Sequence, residues 1–318
     1  MKKALITGIA GFAGSHLTKY LLEKNIDIYG FYHPDHPTDN LDSIKDRINL
    51  VACDVLDAKK VESEIKKIKP DYVFHLAAFS SPAQSFIDPA STLQNNILCQ
   101  LSILESIAKN DIDARILVVG SADEYGNIDE KYLPVGEETP LAPNSPYAVS
   151  KVTQDMLGLQ FFLHKKMKIV RVRPFNHIGP AQAPVFVVPA FASQIAQLEK
   201  NGGGTLKVGN LETYRDFTDV RDIVKAYLLA LDKGEFGEVY NLGSGKSVRI
   251  KDVLDKLLSH SKVKIKVEID KSLLRPVDIK KISCDFSKFQ KKTGWQPSIP
   301  LEVTLSDTIE YERKKLQK

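Results

Sequence analysis

The sequence is short of cysteine, of long apolar runs and of any large excess of one charge. Its three cysteines, Cys53, Cys99 and Cys284, lie far apart without a CxxC pair, so neither a disulfide framework nor a zinc site is expected, and no metal is predicted. No stretch approaches about 18 consecutive apolar residues, and the N-terminus lacks a long apolar core with a cleavage signature. A net charge of +4 gives no reason to expect nucleic acid or membrane partners. We therefore expect a soluble, cytoplasmic protein.

Over residues 1–175, short apolar segments alternate with longer segments of helical length. Short apolar segments with the length of strands lie at 3–7, 27–31, 49–53, 72–76, 115–120 and 168–173. Segments of helical length lie between them at 15–24, 58–68, 92–109 and 146–164. Because a crossover helix returns each strand in the same direction, this alternation predicts a parallel sheet with helices on both faces, a doubly wound α/β fold.

The rhythm changes after Pro174. Residues 176–189 hold three prolines and few helix formers. Farther on, the pattern predicts a strand at 239–242, a helix at 251–259 and a strand at 264–269. We expect a main domain over 1–174, with a returning segment near 216–242, and a smaller C-terminal α/β lobe over 175–215 and 243–318.

A glycine turn follows the first predicted strand. Residues 4–17 read ALITGIAGFAGSHL, so Gly8, Gly11 and Gly14 lie between a strand and a helix. In a dinucleotide-binding turn, such glycines allow a tight exit from the strand, a close approach of the pyrophosphate and close packing of helix on strand. The spacing GxxGxxG differs from the usual GxGxxG, but its place after the first strand predicts a nucleotide cofactor.

The end of the second strand is where the two nicotinamide cofactors are usually distinguished. An acidic residue there would bind the ribose 2′-hydroxyl, and an arginine would favour a 2′-phosphate. Here the sequence has neither: His33 follows the strand, and Asp35 comes only after a proline. His33 could assist a phosphate or be an ordinary loop histidine. At the end of the third strand, Asp54 could accept a hydrogen bond from the adenine amino group or cap a helix. The choice between NAD and NADP stays open, with NADP slightly favoured.

The segment Gly243-Ser-Gly-Lys-Ser247 resembles part of a phosphate-binding P-loop. A complete P-loop needs a glycine at position 240, which is Tyr240 here, and a place near the start of its own sheet. We therefore do not expect this loop to bind a nucleoside triphosphate.

Three residues form the candidate catalytic group: Ser121, Tyr147 and Lys151. Tyr147 and Lys151 are four apart at the start of a predicted helix, so they share one face, and Ser121 ends a predicted strand at the edge where parallel sheets present ligand-facing residues. The same YxxxK spacing occurs at 20–24 and at 311–315, but those pairs lie within a helix and in the charged tail.

This trio suits the oxidation of an alcohol or the reduction of a ketone, which requires a group that exchanges a proton with the substrate oxygen. A free phenol has a pKa of about 10, and a neighbouring ammonium is expected to lower it. The serine hydroxyl can hold a substrate oxygen next to the phenol, which exchanges the proton while hydride moves to or from a nicotinamide. Ser-His-Asp hydrolysis is a poor alternative because no GxSxG elbow is present.

Together the motifs resemble a known family. TGxxGFxG, HLAA at 75–78, Asn96, SxxxYG at 121–126, YxxxK at 147–151 and RPFNHIGP at 173–180 resemble the extended short-chain dehydrogenase/reductases that act on nucleotide sugars. The resemblance covers nearly the whole chain. It implies a Rossmann sheet of about seven strands, bound NAD(P), and a C-terminal lobe that holds a nucleoside diphosphate sugar. It also implies a homodimer in which helices near 92–109 and 147–164 form a four-helix bundle.

The resemblance carries a set of site residues. For the cofactor it implies Gly8, Gly11, Phe12, Ala13, Gly14, His33, Asp54, Val55, Leu76, Ala77, Ala78, Tyr147, Lys151 and Pro174. For the substrate it implies Ser80, Ser121, Asn176, the Val187–Val188 backbone, Arg215 and Arg275, with the two arginines clamping the diphosphate.

The activity within the family is less sharply defined. Segments 173–195 and 208–222 are most similar to reductases of GDP-4-keto-6-deoxy-D-mannose, which form GDP-D-rhamnose, although Ala181 and Ala190 replace a glycine and an aspartate of that pattern. The resemblance then implies that Tyr147 protonates the C4 oxygen as NAD(P)H delivers hydride. A GDP-mannose 4,6-dehydratase, a UDP-hexose 4-epimerase and a non-catalytic NAD(P)-binding regulatory protein remain alternatives.

Residues 122–124 bear on the dehydratase alternative. The related sugar-nucleotide 4,6-dehydratases carry a glutamate base where this chain has Asp123, which is one methylene shorter, and those acting on dTDP-sugars carry an acid at the position of Ala122. Asp123 remains a possible catalytic residue. If this segment is extended, Glu124 should point away from the site.

Overall fold

The protein is described by a computed structural model over residues 1–274 and 278–317. The strands are β1 (Lys3–Thr7), β2 (Asp27–Tyr32), β3 (Asn49–Ala52), β4 (Tyr72–His75), β5 (Arg115–Val119), β6 (Lys168–Pro174), β7 (Asn176–Ile178), β8 (Gly204–Val208), β9 (Tyr214–Asp219), β10 (Val239–Leu242), β11 (Ser247–Arg249) and β12 (Ile265–Ile269). The helices are α1 (Phe12–Glu23), α2 (Ala58–Ile68), α3 (Pro82–Ile87), α4 (Pro89–Lys109), α5 (Pro146–Lys165), α6 (Val187–Lys200), α7 (Val220–Lys233), α8 (Ile250–Ser259), α9 (Ser287–Thr293) and α10 (Leu301–Lys315).

The central sheet has seven parallel strands in the order β10-β6-β5-β4-β1-β2-β3. One face is covered by an apolar core that includes residues of α1 and α7, and the other by a core that includes residues of α2 and α4. Strand order reverses between β1 and β4, the switch point at which doubly wound sheets bind ligands. The predicted doubly wound Rossmann fold is confirmed.

A smaller lobe lies beyond the carboxyl ends of these strands. It contains a three-stranded sheet, β11-β9-β7, and a two-stranded sheet, β12-β8, around an apolar core shared with α6, α8 and α10. Between the two parts of this lobe the chain returns through α7 to β10, which pairs with β6 in the main sheet. The returning segment predicted near 216–242 therefore includes an edge strand of the main sheet.

Two helices begin at residues that the sequence pattern did not predict. Helix α1 begins at Phe12 rather than at residue 15, because Gly11 already has the extended backbone of an N-cap. Helix α6 begins inside the proline-containing segment that predicted irregular chain. Pro189 is its third residue, a position where the backbone N–H would have no partner within the helix, so the proline costs no hydrogen bond.

The GSGKS loop binds a carboxylate of the protein itself. Asp216 on β9 accepts hydrogen bonds from the Ser244 N–H at 2.7 Å, the Ser244 hydroxyl at 2.6 Å and the Gly245 N–H at 2.9 Å. It also accepts one from the Cys284 N–H at 2.9 Å. The N–H groups of this loop thus surround an internal anion, which ties the lobe to the end of the main sheet.

Across residues 1–274 and 278–317, no helix combines the length and the apolar character needed to cross a bilayer.

Asp216→Ala should lower the free energy of unfolding by about 3 kcal/mol, because it leaves the buried Cys284 N–H and the partly buried Ser244 and Gly245 N–H groups without this acceptor. Urea denaturation measures the change. The matched control is Asp255→Ala, since Asp255 pairs with Lys251 on the surface of α8 and such pairs contribute about 0–1 kcal/mol. If Asp216→Ala lowered the free energy of unfolding no more than Asp255→Ala, Asp216 would not stabilise the GSGKS loop as described.

Candidate active site

A large cleft opens at the carboxyl ends of the central strands, against the small lobe. Its volume is about 1450 Å³. It is lined by nearly all of the residues predicted for the site: Gly8, Gly11, Phe12, Ala13, Gly14, His33, Asp54, Val55, Leu76, Ala77, Ala78, Ser80, Ser121, Asp123, Tyr147, Lys151, Pro174, Asn176 and Arg215. Residues scattered over two hundred positions of sequence therefore share one surface.

The glycine turn leaves no space for side chains. Gly8 has a φ of +67°, which favours glycine, and a Cβ there would lie 2.9 Å from the Ala77 nitrogen. A Cβ on Gly14 would lie 2.3 Å from the Gly8 oxygen. Gly11 caps α1 without a side-chain hydrogen bond, so the first N–H groups of the helix have no side-chain partner at the cap. This arrangement suits a pyrophosphate, because the turn packs tightly on its own backbone and no side chain caps the N–H groups at the start of α1.

The wall beyond β2 carries histidine and aspartate. His33 Nε2 lies 3.9 Å from Asp54 Oδ2, and His36 packs edge-on against the His33 ring at 5.3 Å between centroids. Asp54 also accepts a hydrogen bond from the Leu56 N–H at 2.9 Å. Sequence reasoning did not consider His36, which lines the same cleft. The imidazoles of His33 and His36 and the carboxylate of Asp54 therefore face the region where a cofactor ribose would lie.

His75, at the end of β4, is a buried neutral histidine. Its Nδ1 lies 2.9 Å from the Thr7 hydroxyl, whose oxygen already accepts from the Leu76 and Ala77 N–H groups. The Thr7 proton then points to Nδ1, which places the histidine proton on Nε2. Burial, assisted by the charge of Lys151, lowers the pKa of His75 to about 3. Nε2 has no hydrogen-bond partner in the described chain, so it is a buried donor beside the cleft.

Ser121 begins a short 3₁₀ helix over Ala122–Tyr125. Its hydroxyl accepts a hydrogen bond from the Asp123 N–H at 3.1 Å, while the Glu124 carboxylate accepts one from the Ser121 N–H at 2.8 Å. The segment is therefore helical rather than extended, because this capping box stabilises a helical turn. Glu124 nevertheless points into the protein, and Asp123 faces the cleft.

Helix α5 carries Tyr147 and Lys151, and its N-terminus is capped by Ser145. The Ser121 side chain interacts with the Tyr147 phenol, and both line the cleft together with Lys151, so the predicted trio is brought together. Burial raises the pKa of Tyr147, and the charge of Asp123 adds to this. Lys151 Nζ donates to the Val119 carbonyl at 2.9 Å, and burial lowers its pKa to about 8.

The expectation that Lys151 makes this phenol acidic is wrong for the structure described here. The ammonium is directed to the Val119 carbonyl and lies 5.9 Å from the centroid of the Tyr147 ring. Burial therefore prevails over the pairing of charges, and Tyr147 is a protonated phenol at neutral pH.

The substrate half of the site is less complete. Ser80, Asn176 and Arg215 line the cleft, and Arg215 donates to the Ile279 carbonyl at 2.6 Å and pairs with Asp278. Val187 and Val188 do not line it: they open α6, and the Val188 side chain is buried in the lobe core. The backbone role implied for them stays a prediction. Arg275 lies outside the described residues.

Two further residues belong to the site, although the sequence analysis assigned them no role. Asn96 on α4 donates to the Phe79 carbonyl at 3.0 Å and to the Ser150 hydroxyl at 2.9 Å, so it holds the loop after β4 against α5. Gln182 is buried at the cleft, and its Oε1 has no partner in the described chain. Asn96 was visible as a motif residue. Gln182 lies just beyond RPFNHIGP, within the segment 173–195 that carries the resemblance, and its burial marks it as a site residue.

The fold, the glycine turn and the Ser–Tyr–Lys arrangement define an extended short-chain dehydrogenase/reductase, as the motifs predicted. A family model described as GDP-mannose 4,6 dehydratase matches residues 5–308. The chain belongs to that family.

Similar proteins carry different activities. The GDP-6-deoxy-D-mannose reductase of Pseudomonas aeruginosa is 32% identical over 305 residues, which cover 96% of this chain and 95% of that protein. The solved structure of RMD from Pseudomonas aeruginosa in complex with NADPH has a TM-score of 0.86 at 30% identity, and covers 99% of this chain and 100% of that one. The UDP-glucose 4-epimerase of Thermotoga maritima, solved with UDP-glucose, has a TM-score of 0.89 at 28% identity over 99% of each chain.

Gly14→Ala should lower the free energy of unfolding by about 1–3 kcal/mol, since its Cβ would overlap the backbone oxygens of Gly8 and Ile9. Gly136→Ala is the matched control, because a Cβ there meets nothing within 4 Å. Chemical denaturation of both variants tests the packing of the glycine turn. Equal stability of the two variants would show that the glycine turn can accommodate a Cβ at position 14.

Proposed function

We propose that this protein reduces the C4 keto group of GDP-4-keto-6-deoxy-D-mannose with NAD(P)H and forms GDP-D-rhamnose. The observation that carries the proposal is the protonated, buried Tyr147 phenol, which lines the cleft beside Ser121. Reduction of a ketone requires a proton donor at the carbonyl oxygen, and a phenol whose pKa is raised by burial is kept in the donor form. Similarity to a GDP-6-deoxy-D-mannose reductase supports the substrate class.

The cleft residues fit a nicotinamide dinucleotide. The Gly8–Gly14 turn offers backbone N–H groups to the pyrophosphate, and the His75 Nε2 donor and the Lys151 ammonium lie deeper in the cleft, where ribose hydroxyls would be held. A bound reduced nicotinamide supplies the hydride. Similarity to a structure containing NADPH supports this cofactor class, and the His33 and His36 side chains favour NADPH slightly over NADH.

Each residue of the trio then has one task. Ser121 holds the carbonyl oxygen of the substrate, and Tyr147 donates its proton to that oxygen as the alkoxide forms. Below its pKa of about 8, Lys151 is an ammonium that offsets the negative charge left on the Tyr147 oxygen. Arg215, with its planar fork of donors, would bind the diphosphate in exchange for Asp278.

Dehydration is the second candidate, because Asp123 faces the cleft and influences Tyr147 electrostatically. Elimination needs a base at C5 and an acid for the leaving hydroxyl. Asp123 is shorter than the glutamate of the dehydratases, and Ala122, which is buried, supplies no acid. These two positions favour reduction.

The deciding experiment gives the purified protein GDP-4-keto-6-deoxy-D-mannose with NADPH or with NADH. We expect loss of the reduced-cofactor absorbance and formation of GDP-D-rhamnose, identified by NMR. Tyr147→Phe should lower kcat by about 10²–10⁴-fold, because it removes the proton donor while leaving cofactor binding intact. Conversion of GDP-mannose to the keto sugar without net cofactor use would instead identify a dehydratase. Interconversion of UDP-hexoses would identify an epimerase.

We further propose that the protein forms a homodimer through α4 and α5. Val149, Met156 and Leu163 are exposed, and their spacing of seven residues places them in one stripe along α5. Leu98 on the neighbouring α4 is exposed as well. Apolar side chains repeating every seven residues are typical of packed helices, so a four-helix bundle would cover this stripe.

Met156→Glu should convert the dimer to a monomer of 35.5 kDa, because it places a charge in the centre of the apolar stripe. Sedimentation velocity gives the mass. Val303→Glu is the matched control, since Val303 is similarly exposed but lies on α10. A dimer that survives Met156→Glu would place the interface elsewhere, and a monomeric wild type would refute it.

A further inference from the structure

A buried carboxyl group lies directly behind Ser121, on the side away from the cleft. Glu124 is fully buried, and its Oε1 accepts the Ser121 N–H at 2.8 Å. A Cβ on Gly120 would lie 2.1 Å from this oxygen, so glycine at 120 leaves the space that the carboxyl group occupies. The position of the Ser121 backbone is therefore set by Glu124.

Glu124 is in turn held by an arginine from the neighbouring strand. Arg173 Nε, on β6, lies 3.0 Å from Glu124 Oε2 and 2.9 Å from Asp155 Oδ2. Arg171, two residues earlier, donates to the other Asp155 oxygen at 2.7 Å. All four side chains are at least nine-tenths buried. These contacts fix the geometry of the cluster, because moving Arg173 or Asp155 would leave a buried charge without compensation.

Asp155 belongs to the helix that carries the catalytic phenol. Tyr147, Lys151 and Asp155 are spaced by four residues, so they follow one face of α5. The contacts from Ser121 through Glu124, Arg173 and Asp155 therefore close a ring that joins the two elements bearing the trio. The proposed function assigns roles to Ser121 and Tyr147 but none to the buried residues Glu124, Arg173 and Asp155 that connect them.

We propose that Glu124 is a positioning residue: through Arg173 and Asp155 it locks the Ser121 turn to helix α5 and so sets the distance between the Ser121 hydroxyl and the Tyr147 phenol. This inference rests on the proposed function for the identity of the reaction. It does not depend on which nucleotide sugar is used.

Glu124 also acts on the trio by its charge. Burial and the neighbouring Asp155 raise the pKa of Glu124 to about 8. Once ionised, it raises the pKa of both Lys151 and Tyr147. The charged or titratable groups around these residues are His75 from β4, Asp123 and Glu124 from the 3₁₀ helix, Arg173 from β6, Asp155 on α5, and Tyr227 from α7. Loss of the Glu124 charge should therefore let both Lys151 and Tyr147 lose their protons at lower pH.

The test compares Glu124→Gln with Glu124→Leu. Glutamine keeps an oxygen that can accept the Ser121 N–H, whereas leucine removes both the acceptor and the charge. We expect Glu124→Leu to lower kcat by about 10²-fold, as misplacement of a reacting group by about 1 Å does, with the KM for NADPH unchanged. Glu124→Gln should recover most of this loss. It should also move the alkaline limb of the kcat/KM profile to lower pH.

Glu199→Gln is the matched control. Glu199 forms a partly buried pair with Arg313, at 2.6 Å and 2.8 Å, and neither residue lines the cleft. It should lower the melting temperature without changing kcat or the pH profile. If Glu124→Leu and Glu124→Gln kept the wild-type kcat and alkaline limb, or lost activity only in proportion to unfolded protein, the positioning role would be overturned.

A measurement without turnover separates this inference from the proposed function. Competitive labelling with acetic anhydride, followed by mass spectrometry of the Lys151 peptide, gives the titration midpoint of Lys151 in the free protein. We expect this midpoint to shift to lower pH in Glu124→Gln and to stay unchanged in Glu199→Gln. An unshifted midpoint would overturn the electrostatic part of the inference. A shifted midpoint in a protein that reduces no keto sugar would refute only the proposed reaction.

Discussion

The parallel direction of the seven central strands is the constraint on which the rest of the site depends. Because every strand ends at the same edge, the turn after β1, His75 at the end of β4 and Ser121 after β5 meet without being near one another in sequence. The small lobe then closes over this edge and brings Arg215 to the same cleft. The parallel arrangement of the strands thus brings together the residues proposed to bind the cofactor and those proposed to bind the substrate.

Burial dominates the electrostatics of this cleft. The phenol of Tyr147, the ammonium of Lys151 and the imidazole of His75 all have pKa values moved toward the neutral form, and burial is the first cause in each case. Neutral forms are cheaper to keep out of water than charged ones. The site therefore holds two neutral hydrogen-bond donors, Tyr147 and His75 Nε2, beside Lys151, which is an ammonium below its pKa of about 8.

Buried carboxylates organise the segments that surround the site. Asp216 collects the N–H groups of the GSGKS loop, and Asp222 on α7 accepts from the Ser298 and Ile299 N–H groups at 2.7 Å and 2.8 Å. Glu124 does the same for Ser121. In each case an irregular segment is fixed by a buried carboxyl group, because its N–H groups need acceptors that no strand or helix supplies.

The sequence by itself determined the main sheet, the glycine turn and the trio. Their signals are local: a period of two or of 3.6 residues, three glycines after a strand, and two side chains four apart on a helix. The strand over 239–242 and the helix over 58–68 were predicted at their observed bounds for the same reason. The family was predicted from motifs spread along the chain, and the family model that matches residues 5–308 confirms it.

Only the tertiary structure decided which neighbours each of these residues has. Lys151 turns to the Val119 carbonyl, Glu124 folds back on Ser121, and Val188 enters the lobe core, none of which leaves a periodic signal. The protonation of Tyr147 likewise depends on how much surrounding protein excludes water from its oxygen. Burial and pairing are properties of residues distant in sequence, so local patterns cannot carry them.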